Sequence, residues 1–158
     1  MKATLTWALS GFIAVIFVQS TFFKFSGAEE TVLIFSTIAD WLHGIGLPSG
    51  LAAGFGSFGA YGVGTLELIA AALILLPAHR RRGAALSLTV ISGAIFFHLF
   101  TPLGIDRVVD QAGHTDGGAL FFTAVAIWIS SLAVLALTRP LTTKKPAPLS
   151  MTAEPATA

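Results

Sequence analysis

The sequence predicts an all-α transmembrane four-helix bundle, with one short amphipathic surface helix between the first and second spans. Three observations lead there. The chain of 158 residues is 54% hydrophobic with a mean hydropathy of +0.82, and only 11% of its residues are charged, where an average soluble domain carries about 25%. Four stretches are nearly free of charge and reach the roughly 20 residues that a spanning helix needs. The remaining charges sort by sign between alternate connections.

The first span is residues 5–23, which carry no charge. A signal peptide competes, because Lys2 precedes the run, but no small-x-small cleavage site follows and Lys24-Phe25 continues directly. Residues 27–47 hold Glu29, Glu30, Asp40 and His43 among Val32, Leu33, Phe35, Ile38 and Trp41 at helical spacing. They predict a short amphipathic helix on the membrane surface, with a plain soluble loop helix as the alternative.

The second span is predicted over 53–76, with a start as late as Gly62 left open by the glycines at 50, 54, 56, 59, 62 and 64. Such a run reads as a loop in water, whereas in lipid small residues let helices approach closely. Gly56, Ala60 and Gly64 recur every fourth residue and form one small face, suited either to packing within the chain or to a contact in a homo-oligomer. The basic turn from Pro77 to Arg82 leads into a third span, 83–101, interrupted by His98 and closed by Thr101-Pro102. A polar loop over 103–117 precedes the fourth span, 118–138, which Arg139-Pro140 stops. Residues 1–139 thus form one membrane domain. The tail 140–158, rich in Pro, Thr, Ala and Lys, is expected to be disordered.

Four spans put Lys2, Arg80, Arg81, Arg82, Arg139, Lys144 and Lys145 on one side, which the positive-inside rule makes cytoplasmic, with both termini there. The other side receives Glu29, Glu30, Asp40, Asp106, Asp110 and Asp116 against Lys24 and Arg107. The expected setting is therefore a membrane crossed several times, with membrane lipids as partners and the basic tail free to touch anionic headgroups. A net charge of +1 gives no reason to expect a nucleic-acid partner.

With no cysteine, disulfides, thiolate zinc sites, iron–sulfur ligation and a cysteine nucleophile are excluded for this chain. No phosphate-binding loop, dinucleotide fingerprint, nucleophile elbow or HExxH motif occurs. Asp106, Asp110 and His114 would share a helical face that suits a metal, but Gly113 and Gly117-Gly118 argue against a helix there, so no metal ligand is assigned. His98 is the sole histidine at clear membrane depth, which argues against a bis-histidine haem.

Four polar residues sit in or beside the spans: Gln19, Lys24, Glu67 and His98. A carboxylate at the bilayer centre costs about 2.5–3.5 kcal/mol on insertion scales, so Glu67 should face the bundle interior with Lys24 or His98 as its partner. Glu67 and His98 are the candidate catalytic residues, and all four are candidate ligand-binding residues. Interhelical packing competes for Gln19, and an interfacial snorkelling position for Lys24.

The segments QSTFFKFSGAEETVLIFSTIADWL, GVGTLELIAAALILLP, GAALSLTVISGAIFFHLFTPLGI and DGGALFF, in this order and spacing, resemble the DoxX family of small bacterial membrane proteins over about residues 15–138. The resemblance implies a four-helix bundle in the cytoplasmic membrane of a bacterium and kinship with the DoxD subunit of a thiosulfate:quinone oxidoreductase. It places Lys24, Glu29, Glu30, Glu67, His98, Asp116 and Gly117 at recurrent family positions. Similar sequences commonly carry an arginine a few residues before the Gly-x-x-Glu element, where this chain has Gly56-Ser57-Phe58-Gly59; if that arginine pairs with the glutamate there, the partner of Glu67 here must be another residue. The expected function is binding of a quinone-like molecule as an accessory component of a membrane redox system. No intrinsic electron carrier is visible, so a redox partner subunit is expected. A non-catalytic membrane module that organises partners or supports a stress response is the alternative, and a transporter is a weaker third reading.

Overall fold

The computed structural model describes residues 1–139, so the tail 140–158 lies outside the described residues. Five helices follow one another: α1 (Lys2–Ser26), α2 (Glu29–Gly44), α3 (Ser49–Leu75), α4 (Arg80–Phe100) and α5 (Ala119–Leu137). α1, α3, α4 and α5 are each long and apolar enough to cross a membrane. The all-helical bundle read from the hydropathy is the observed fold.

Local chemistry sets where the helices stop. α1 ends at Gly27, whose φ of 66° is left-handed, and the Ala28 amide closes back on the Phe23 carbonyl at 3.2 Å; glycine takes that conformation without steric cost. α3 ends just before Pro77, which disfavours helical geometry in the residue ahead of it. At α5 the chain arrives through two left-handed glycines, Gly117 and Gly118. The Asp116 carboxylate then accepts the Gly118 amide at 2.9 Å and the Leu120 amide at 3.1 Å, which caps otherwise unpaired helix donors.

α3 is helical from Ser49, four residues ahead of the expected 53 and well ahead of Gly62. Its glycines are contact points. A Cβ on Gly56 would lie 3.2 Å from the Ala39 Cβ, one on Gly59 would meet the Phe35 ring at 2.9 Å, and one on Gly64 the Phe25 ring at 2.7 Å. The small face is thus used inside the chain, against α2 and α1.

The four long helices form a ring in the order α1, α3, α4, α5, with α2 packed on α3. Ile13, Phe17, Ile74, Ile127 and Val134 fill the centre. α3 and α4 come closest at Gly83, where a Cβ would fall 2.3 Å from the Ile74 backbone nitrogen. Ser87 and Ser131 share a buried hydrogen bond of 2.9 Å between α4 and α5, which satisfies two hydroxyls that an apolar core would penalise.

Each end of the bundle is closed by charge. At the end holding the N-terminus, Arg80 Nε donates to the Ile74 carbonyl at 3.0 Å, its guanidinium lies 3.9 Å above the Trp7 ring, and Arg81 donates to the Leu135 carbonyl at 2.9 Å. Cations there complement the negative C-terminal ends of α3 and α5. At the opposite end α2 is tied to the α4–α5 loop: Glu30 pairs with Arg107, and the Glu29 carboxylate accepts the Gln111 amide at 2.8 Å.

The α4–α5 loop is not helical; Val108 and Thr115 form an isolated antiparallel bridge. Asp106, Asp110 and His114 therefore do not share a helical face. Asp106 accepts the Gly117 amide at 2.9 Å, while Asp110 and His114 pair with each other at 2.6 Å. Among the described residues no group of three His, Cys, Asp or Glu is placed to hold a metal.

Candidate ligand-binding cavity

α1 and α3 are antiparallel neighbours, and helical side chains lean toward their own N-terminus. Lys24 on α1 and Glu67 on α3 therefore lean toward each other. Lys24 Nζ lies 3.0 and 3.1 Å from the two Glu67 carboxylate oxygens. Ser20 donates to Glu67 at 3.4 Å and also accepts from Lys24. Thr21 bonds the Gly64 carbonyl at 3.1 Å and reaches Glu67 at 3.4 Å. The Glu67 side chain is 6% exposed and that of Lys24 15%, so this is an ion pair inside the bundle. Lys24 is consequently not a snorkelling interface residue: its ammonium gains more from a bidentate carboxylate and a hydroxyl than from reaching the rim.

The expected alternative, a Glu67–His98 pair, is not formed. His98 Nδ1 donates to the Gly104 carbonyl at 2.6 Å, and its ring meets Phe121 edge-on. Gly104 stands at φ 72° just beyond α4, and the turn that follows the helix brings its carbonyl back over the buried imidazole. A carbonyl only accepts, so Nδ1 carries a proton, which in the neutral tautomer leaves Nε2 as an acceptor.

The two groups nevertheless share one space. A cavity of about 490 Å³ lies among all four long helices and is lined by Gln19, Lys24, Glu67 and His98. The remainder of its wall is mostly apolar, with Phe17, Ile34, Phe55, Val63, Ile91 and Ile127 among the lining residues. One face of α2, from Glu30 to Ile38, closes it at the end opposite the N-terminus. Gln19 faces outward as well as lining the wall, and so do Phe23, Leu66, Thr89 and Leu120. Gln19 makes no hydrogen bond to another helix among the described residues, so the packing role open to it from sequence is not seen. The size and lining match small-molecule pockets, which run about 300–1,000 Å³ with a few polar groups in an apolar wall.

Sequence reasoning missed two residues. Glu30 also lines the cavity, and Arg107 behind it is 2% exposed, held by Glu30 and lying 3.7 Å from Asp116. The available signal was that Arg107 is the lone cation in an acidic loop, which nothing in hydropathy marks as buried. Burial pushes the Asp116 carboxyl up, but the Leu120 and Gly118 amides and the Arg107 charge outweigh this and hold it below the usual carboxylate range. On the exposed loop, their shared hydrogen bond raises His114 and lowers Asp110.

Comparison of the chain with protein-family models, with curated proteins and with solved structures finds no match in any of the three.

Proposed function

We propose that this protein is a membrane-embedded binder of a lipophilic small molecule of quinone type, acting as an accessory component of a membrane redox system. One observation carries the reading: the four polar residues Gln19, Lys24, Glu67 and His98 line a single apolar cavity between the spans. The Lys24–Glu67 pair would hydrogen-bond one oxygen of the ligand and His98 Nε2 its protonated form, while the apolar wall takes the rest. Glu67 is the group suited to exchange a proton with a bound oxygen. The described residues supply no electron carrier, so electrons would come from a partner subunit or from a cofactor it holds. The DoxX resemblance supports this reading, because its recurrent positions include Lys24, Glu67 and His98. The basic end, with both termini, would face the cytoplasm of a bacterium.

The test is extraction of lipids from protein purified in mild detergent, followed by mass spectrometry and by thermal unfolding with added quinone. Co-purifying quinone is expected, with a quinone-dependent rise in unfolding temperature that Glu67→Gln and His98→Asn reduce. Finding neither bound quinone nor such a rise would favour a non-catalytic module in which these residues only lock the bundle.

A further inference from the structure

The charges in the cavity wall occur as opposites. Lys24 is bidentate on Glu67, and Glu30 is held by Arg107 from behind the wall. His98, the remaining titratable side chain of the lining, already spends its Nδ1 proton on the Gly104 carbonyl. A charged head entering this space would either pull one partner away from its opposite or remain unpaired in a medium of low dielectric, and both are unfavourable. An uncharged head faces neither penalty: a carbonyl oxygen can accept from Lys24 or Ser20, and a hydroxyl can donate to His98 Nε2.

Lys24, Glu30 and His98 mark one end of the cavity, and Glu67 is reached from that end through the Lys24 ammonium. Lys24 stands two residues from the end of α1, and His98 two from the end of α4, both at the α2 end of the bundle. Phe17, Ile91 and Ile127 line the wall farther from α2. Outward-facing Leu66 and Thr89 share the wall near the middle of their helices, so an apolar tail can enter from the bilayer.

We infer that the cavity selects amphiphiles with an uncharged polar head placed at the α2 end, and that the Lys24–Glu67 pair sets this selection by leaving the wall without net charge. The inference rests on the reading of the cavity as a ligand site and adds the class of head group.

The test compares three probes with the same tail: a benzoquinone carrying a decyl chain, decanesulfonate and decyltrimethylammonium. Each is added at equal bilayer concentration to the full chain in nanodiscs of neutral phosphatidylcholine, and thermal unfolding is read. The quinone is expected to stabilise the wild type saturably, with both ions at least about tenfold weaker. Glu67→Gln leaves the Lys24 ammonium unopposed and is expected to gain stabilisation by decanesulfonate. The double variant Lys24→Gln/Glu67→Gln is expected to lose that gain and again favour the quinone. Stabilisation of the wild type by either ion as strong as by the quinone would overturn the inference while leaving a ligand site in place. So would a folded Glu67→Gln protein that ignores the sulfonate. If none of the three probes shifts the wild type, the ligand-site reading itself fails.

Discussion

Removing the ammonium of Lys24 leaves the Glu67 carboxylate in the bundle with only two hydroxyls as partners. Breaking a buried ion pair from one side costs about 3–5 kcal/mol, whereas replacing both members by apolar groups is often neutral. Lys24→Met is therefore expected to destabilise by about 3 kcal/mol or more, and Lys24→Met/Glu67→Leu by much less. Chemical unfolding in detergent checks this; a double variant as unstable as the single one would mean that the pair does not form. The exposed Asp110–His114 contact makes a separate prediction. His114 is raised above its usual 6.5, so its share of stability is present below that value and lost as pH rises through the folded pKa. Asp110 is lowered from its usual 3.8, so its share is present above that value and lost as pH falls through the folded pKa. The contact thus acts in the window between the two folded values, and weakly, because solvent screens it. An NMR titration should place the His114 midpoint above 6.5, and Asp110→Asn should bring it back down. At this scale Lys24 was legible as one of two partners for Glu67, because a carboxylate in a span demands a counter-charge. His98 was legible as polar and buried, but not its partner, since no sequence pattern says where the Gly104 carbonyl returns. Arg107 was hidden for the same reason.

Among the elements, the glycines decide how closely the helices pack. A Cβ at Gly83 would meet α3 backbone, which cannot rotate aside, while one at Gly64 would meet the edge of the Phe25 ring, which can. Gly83→Ala is expected to cost more than the 1–3 kcal/mol typical of overpacking, and Gly64→Ala about 1 kcal/mol or less. Unfolding of the two variants side by side checks the order; equal losses would show that α3 and α4 are not in the close contact described. The four spans were readable because long uncharged apolar runs have few other uses. The start of α3 was harder to read, since glycine breaks helices in water but favours close helix contacts in lipid. Only the position of α2 against Gly56 and Gly59 shows which rule governs here.

For the whole molecule, Arg80, Arg81, Arg82 and Arg139 lie at one end of the bundle and Glu29, Glu30, Asp106, Asp110 and Asp116 at the other, so the described chain should cross the membrane four times, with its basic end inside. The absence of native cysteine makes this easy to test with single introduced thiols. Ala112→Cys and Ala78→Cys lie on exposed residues at opposite ends. An impermeant maleimide should label the first in intact cells and the second only after permeabilisation; labelling of both from one side would contradict four spans. Between these ends an ion pair and an imidazole share an apolar space. A density map of the protein purified in its native lipid examines that space most directly. An elongated non-protein feature is expected in the cavity, its head between Glu67 and His98, with Lys24 still on Glu67. A cavity collapsed or filled by side chains, with the Glu67 carboxylate turned to the acyl chains, would contradict that expectation.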